Sequence, residues 1–207
     1  MRPRALERDS IFGCKVSHEL YQQQQKPEAL VVLFPGRGYT VQLPLLYYAG
    51  MAARDKRFDV LALEYGFFKA GKSFTAEDIA PFCEELLETL QAAGAQGYKR
   101  LYLISKSLGT VLAGMVGTLL EHPDIRHLFL TPVERALPFM LQTKSVAVMG
   151  TADDTFPEAC IGAVRADAAC ELVFIEGADH SLEMQHGILH NLSIMKQMSE
   201  IYETFLE

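Results

Sequence analysis

One serine, one aspartate and one histidine of this sequence stand where a nucleophile, an orienting acid and a base would have to stand. Ser107 lies in Leu101-Tyr-Leu-Ile-Ser105-Lys106-Ser107-Leu108-Gly109, an apolar run that passes directly into a helical pattern. The spacing is small-x-Ser-x-small, with Ser105 where glycine is usual, and it reads as a nucleophile elbow, a strained turn that exposes the hydroxyl. A hydroxyl alone is a poor nucleophile. It needs a base to take its proton and an acid to hold that base in the right tautomer. The run Ser145–Met149 leads into Gly150-Thr-Ala-Asp153-Asp154, and Glu171–Ile175 leads into Glu176-Gly-Ala-Asp179-His180. Singly, these residues read as a helix cap, a turn residue and a loop histidine. Together, each at the end of its own strand-like run and in the order serine, acid, histidine, they point to acyl transfer.

The elements that must position them follow from hydrophobic patterning. Leu30–Phe34, Val60–Glu64, Leu101–Ser105, Leu128–Thr131, Val146–Met149 and Leu172–Ile175 are short, mostly apolar runs, as strands buried on both faces should be. Helical spacing predicts helices from Ile79 to Gly94 behind a Thr75–Asp78 capping box, over 111–120, and from Ile188 to Phe205. Weaker helical patterns cover Pro44–Arg54 and Pro157–Ala169, and Phe12–Val16 with Leu20–Gln24 suggests an antiparallel edge hairpin. Alternating strands and helices predict an α/β fold, a mostly parallel sheet of about six to eight strands with helices on both faces. With no repeat and no linker, residues 1–207 are expected to form a single domain. In such sheets ligands bind at the carboxyl ends of the strands, where all three candidates fall.

From about Leu30 onward the chain resembles the α/β-hydrolase fold family, and within it the small lidless dienelactone hydrolases and carboxylesterases. The resemblance implies a Ser107–His180–Asp153 triad, with Asp153 preferred to Asp154 because Gly-x-x-Asp is the family spacing. It implies that the turn after the first parallel strand helps form an oxyanion hole. Here Pro35-Gly36-Arg37-Gly38-Tyr39 follows that strand, with Pro35 in place of the usual histidine. The backbone N–H groups of Arg37 and Leu108 are then the expected oxyanion donors. Gly36, Gly38, Tyr39, Phe67 and Lys106 are the expected substrate contacts. The chemistry implied is hydrolysis of a small ester or thioester through an acyl-enzyme, with no cofactor and no metal. Only thirteen residues, Pro132–Lys144, occupy the region where relatives with bulky substrates carry a cap domain, so none is expected. Phe139-Met140-Leu141 could wall the site. Arg37, Lys69, Lys72 and Lys106 cluster around the predicted catalytic end, which would suit an anionic substrate.

Composition excludes several classes. With 19 basic and 26 acidic residues in 207, the net charge of −7 argues against a general nucleic-acid binder. No apolar run approaches the ~20 residues of a membrane span, and Met1–Ser10 has no apolar core of a signal peptide. Cys14, Cys83, Cys160 and Cys170 form no metal or redox pattern, and a cytoplasmic, reduced location is expected. A homodimer is left open. Two competing motifs exist. Gly66-Phe-Phe-Lys-Ala-Gly71-Lys72-Ser73 formally fits the phosphate-binding pattern G-x-x-x-x-G-K-[ST], but the best helix-cap signal follows two residues too late and two phenylalanines crowd the loop. His186 and His190 could share a metal, yet no third ligand accompanies them. A hydrolase-fold protein that binds without turnover is the alternative of a different class.

Overall fold

The computed structural model of the protein describes residues 3–167 and 169–207. Eight strands form one sheet: β1 (Arg4–Asp9), β2 (Lys15–Tyr21), β3 (Ala29–Phe34), β4 (Asp59–Ala62), β5 (Arg100–Lys106), β6 (Ile125–Leu130), β7 (Ser145–Gly150) and β8 (Cys170–Ile175). Their spatial order is β1-β2-β4-β3-β5-β6-β7-β8. The first two strands pair antiparallel with their neighbours and the remaining six run parallel. The helices are α1 (Pro44–Asp55), α2 (Gly66–Lys69), α3 (Ile79–Ala92), α4 (Leu108–Leu120), α5 (Leu137–Gln142), α6 (Glu158–Asp167) and α7 (Ile188–Phe205).

The central strand β3 shows why the parallel part was readable as apolar runs. Every residue of Ala29–Phe34 is buried. Leu30, Val32 and Phe34 pack into a core beneath α3 and α4, while Ala29, Val31 and Leu33 pack into a second core beneath α1 and α7. A third cluster, around Phe129, Met140, Met149 and Val164, lies between β6–β8 and helices α5 and α6. No described helix is long and apolar enough to cross a membrane.

Two expectations shift. The edge hairpin is built from β1 and β2 rather than from 12–16 and 20–24. Arg4-Ala-Leu-Glu-Arg-Asp9 is mostly exposed on the sheet edge and so carries no hydrophobic alternation to betray it. The capping-box pair lies one turn upstream of its helix: Thr75 N–H and Oγ1 both donate to Asp78 Oδ2, and α3 starts at Ile79. The Gly66–Ser73 segment does not form a phosphate cradle. Gly66–Lys69 is itself a single helical turn, with Gly66 pressed against Ser10 and Phe67 buried among Phe12, Tyr65, Phe74 and Phe82.

The crossing of β3 and α4 sets the geometry of the Ser107 end of the sheet. Gly109 lies so near the Phe34 and Pro35 carbonyls that a Cβ there would collide with backbone oxygens. Those oxygens belong to a buried strand end and cannot move aside cheaply. Gly109→Ala is therefore expected to cost about 2 kcal/mol or more in urea unfolding, well above an ordinary surface change. A variant as stable as the wild type would show that the helix does not need this approach.

Candidate active site

Ser107 connects β5 to α4 with φ 52° and ψ −118°, a conformation that L-residues rarely adopt. The turn is held from several sides. Ser107 N–H donates to the Leu130 carbonyl (3.0 Å), and Thr110 donates through both its N–H (2.8 Å) and its Oγ1 (2.6 Å) to the Ser107 carbonyl. Ser105, the residue in the usual glycine position, is fully buried, and its Oγ donates to the Leu128 carbonyl at 3.3 Å. Its hydroxyl is thus absorbed by the neighbouring strand and leaves the elbow undisturbed.

The acid and the base are brought together by two loops fastened to each other. A Cβ at Gly150 would collide with the Ala178 carbonyl, so the end of β7 can lie directly against the loop after β8. Thr151 N–H donates to the Ile175 carbonyl (3.0 Å), Ala152 N–H to the Ala178 carbonyl (2.9 Å) and Gly177 N–H to Thr151 Oγ1 (2.8 Å). Asp179 then folds the following turn by accepting from Ser181 N–H (2.7 Å) and Glu183 N–H (3.2 Å). The result places His180 Nε2 2.9 Å from Ser107 Oγ and His180 Nδ1 2.8 Å from Asp153 Oδ2. The Asp153 side chain is 2% exposed, whereas its neighbour Asp154 faces solvent.

Thr155 escaped the sequence reading. Its N–H (2.9 Å) and Oγ1 (2.6 Å) both donate to Asp153 Oδ1, and its hydroxyl oxygen lies 2.8 Å from His180 Nδ1. The signal was the Asp-x-Thr spacing, which is also that of an ordinary Asx turn and so carried no separate message. Burial pushes the Asp153 carboxyl up, but hydrogen bonds from His180 and Thr155 outweigh it and hold the carboxyl below its usual range. An ionised acid next to Nδ1 fixes the proton there and leaves Nε2 free to accept from the serine.

The expected oxyanion turn, Gly36–Tyr39, is closed by Gly36 N–H donating to the Tyr39 carbonyl at 2.9 Å, and Gly36 lies close to the elbow at Lys106 and Ser107. Arg37 and Gly38 are at its exposed tip or beside it. Leu108 is the first residue of α4, so its N–H belongs to the first helical turn, which has no intrahelical acceptor. A cleft of about 470 Å³ opens at Ser107, lined by Leu108, Phe74, Ile79 and Val133 with Arg37 and Arg135 at its rim. Another of about 300 Å³ lies across the turn, against Pro35, Gly36, Tyr39, Tyr65 and Phe68. A larger cleft of about 600 Å³ lies at the opposite end of the sheet, between Val146, Val173, Ile201 and Phe205, away from Ser107.

Several expected substrate contacts are placed elsewhere. Phe67 is in the aromatic core, and its neighbour Phe68, 54% exposed, takes the position beside the cleft. Phe139 packs against Gly114 of α4 and Met140 is fully buried, so that segment offers Val133 and Arg135 to the site instead. Of the basic cluster, Lys69 is paired with Glu64 at 3.1 Å and Lys106 is buried beneath the site. Among the described residues no three His, Cys, Asp or Glu side chains gather as metal ligands.

No family model and no curated protein matches the sequence. Solved structures do match in three dimensions. An α/β serine hydrolase without a lid from Xanthomonas campestris superposes with a TM-score of 0.69 at 13% identity, over 99% of this chain and 93% of that one. Est1E from Butyrivibrio proteoclasticus, with ferulic acid bound, gives 0.71 at 14% identity over 97% of both chains. An α/β serine hydrolase homologue from Coxiella burnetii gives 0.67 at 12% identity, over 99% and 97%.

The geometry makes a direct spectroscopic demand. The Nδ1 proton of His180, shared with Asp153, is expected as a slowly exchanging downfield resonance in the proton NMR spectrum. It should persist in Asp154→Asn and disappear in Asp153→Asn; the reverse pattern would reassign the acid. With this sheet order, this turn at Ser107 and no cap domain among the described residues, the chain has the α/β-hydrolase fold in its lidless form.

Proposed function

We propose that the protein is a serine hydrolase that cleaves a small ester or thioester through an acyl-enzyme on Ser107. The observation that carries this reading is the unbroken pair of hydrogen bonds, Ser107 Oγ to His180 Nε2 at 2.9 Å and His180 Nδ1 to Asp153 Oδ2 at 2.8 Å. His180 takes the serine proton as Oγ attacks the acyl carbon, then delivers it to the leaving oxygen or sulfur. Asp153 keeps the imidazole in the required tautomer and stabilises its charged form. The backbone N–H groups of Arg37 and Leu108 are assigned to the developing oxyanion, each worth about 3 kcal/mol of barrier. Water then enters and attacks the acyl carbon as His180 removes its proton; the imidazolium returns that proton to Ser107 Oγ as the acyl–oxygen bond breaks, and the acyl group leaves as the acid.

The open surroundings of Ser107 support a small substrate. One small cleft opens at Ser107 and another lies across the Gly36–Tyr39 turn, with no lid over either among the described residues, which suits short acyl and leaving groups. The apolar floor of Leu108, Ile79 and Val133 would hold the hydrocarbon part of the substrate. Arg37 and Arg135 at the rim place positive charge beside the nucleophile of a protein whose net charge is −7. That arrangement supports preference for an ester carrying a carboxylate.

Steady-state kinetics on matched short-chain, long-chain and carboxylate-bearing esters test the proposal. Short esters should be turned over with kcat/KM at least about tenfold above long ones. The carboxylate-bearing ester should exceed its neutral partner at low salt, with the advantage shrinking as salt screens the arginines and falling in Arg135→Gln. A folded protein that turns over none of these esters would contradict the function; equal kcat/KM at all salt concentrations would contradict the charge preference.

A further inference from the structure

Lys106 is the charged residue of the elbow, the triad does not use its ammonium, and its setting is unusual for a lysine. It directly precedes Ser107, is 2% exposed, and sends its side chain beneath the catalytic end of the sheet. Its Nζ donates to Thr131 Oγ1, at the end of β6, and to the backbone carbonyl of His180 at 2.7 Å. The ring of Tyr39, from the turn after β3, lies 5.4 Å from Nζ. One ammonium therefore touches segments that follow β3, β6 and β8 while its own backbone forms the end of β5. Thr131 itself has φ 42°, a left-handed conformation costly for a β-branched residue.

A buried cation is a poor stabiliser, because its desolvation offsets what its hydrogen bonds return. Burial lowers the Lys106 ammonium to about 8, against the opposing attraction of Asp153 and Asp179. In the unfolded chain the same group titrates at 10.5. Its pKa is thus depressed by folding, so its contribution to stability is most favourable above the unfolded value and is lost as pH falls toward about 8. At neutral pH the charge weighs against the fold. Packing does not explain its presence, since an apolar side chain of similar length would fill the space.

We propose that Lys106 is a positioning residue: by holding the His180 carbonyl and Thr131 Oγ1 together, it fastens the histidine loop to the elbow and keeps the imidazole in line with Ser107 Oγ. The Ser107–His180 distance depends on two loops from different strands, and Lys106 is the side chain of the elbow that bonds to the histidine's own backbone. The inference rests on the serine hydrolase reading for its kinetic consequences, though not for its structural ones. The groups that face the ammonium are Asp153 from the loop after β7, Asp179 and His180 from the loop after β8, Thr131 from the end of β6 and Tyr39. Burial raises the Tyr39 phenol to about 12, with the hydrogen bond from Leu45 N–H opposing it, so that group stays neutral where Lys106 titrates. Loss of the Lys106 proton weakens charge-assisted hydrogen bonds to neutral ones, and kcat should accordingly fall along an alkaline limb centred near pH 8.

The test compares wild type with Lys106→Met and Lys106→Gln, using a short ester across pH 6 to 10. Thermal unfolding at neutral pH should show Lys106→Met at least as stable as wild type. Its kcat should drop on the order of 10- to 100-fold with KM within about threefold, and the alkaline limb should vanish. Lys106→Gln, which can still donate to the His180 carbonyl, should recover part of kcat while also lacking the limb. In NMR spectra the His180 Nδ1 proton should exchange faster in Lys106→Met than in wild type. A kcat within twofold of wild type with an unchanged pH profile overturns the proposal, as does a loss confined to KM, which would make Lys106 a substrate contact. Should Lys106→Met fail to fold, the same kinetic and exchange criteria apply to Lys106→Gln. If the wild type hydrolyses no ester, the serine hydrolase reading fails, and the exchange rate alone decides for Lys106: an unchanged rate overturns it.

Discussion

Where β3, β5 and α4 meet, Gly109 lies under the carbonyls of Phe34 and Pro35 with no room for a side chain. This contact fixes the angle at which α4 leaves the sheet and so the strained turn that lifts Ser107. The same approach brings the Gly36–Tyr39 turn against the elbow, so that the N–H groups of Leu108 and Arg37 share the Ser107 end of the sheet. A second close contact, between Gly150 and the Ala178 carbonyl, does the corresponding work for the acid and histidine loops. Two glycines, one in the first turn of α4 and one at the end of β7, thus define the separation of three side chains that lie far apart in sequence.

The parallel core was legible because each of its strands is buried on both faces and needs no polar alternation, as β3 illustrates. The edge was not legible for the opposite reason. The charged strand Arg4–Asp9 is recognised by its pairing with Lys15–Tyr21, a long-range property that no local pattern carries. The P-loop-like segment fits its pattern residue by residue, yet Gly66 is used for its contact with Ser10 and Phe67 for the core. A short motif says nothing about which way its side chains turn.

The meeting of Ser107, Asp153 and His180 could be anticipated because each falls after its own apolar run, where an α/β sheet exposes its loops. Selection between Asp153 and Asp154 needed a spacing borrowed from a resembling family, and in the structure Asp153 is the one whose side chain is buried and hydrogen-bonded to the imidazole. What local sequence could not supply was the support around them. Thr155 looks like an ordinary turn residue until its hydroxyl is found between the carboxylate and the imidazole. Lys106 reads as a substrate contact in a basic cluster until it is found buried, with its ammonium on the His180 carbonyl. Both make contacts that span many residues of chain, 25 from Thr155 to His180 and 74 from Lys106 to His180.

The central claim is that this arrangement activates one serine. Intact-protein mass spectrometry after incubation with a fluorophosphonate reports that activation without knowledge of the substrate. A single adduct is expected on the wild type and none on Ser107→Ala, with both proteins folded by circular dichroism. A folded wild type that gains no adduct, or a Ser107→Ala variant that gains one, would contradict the account.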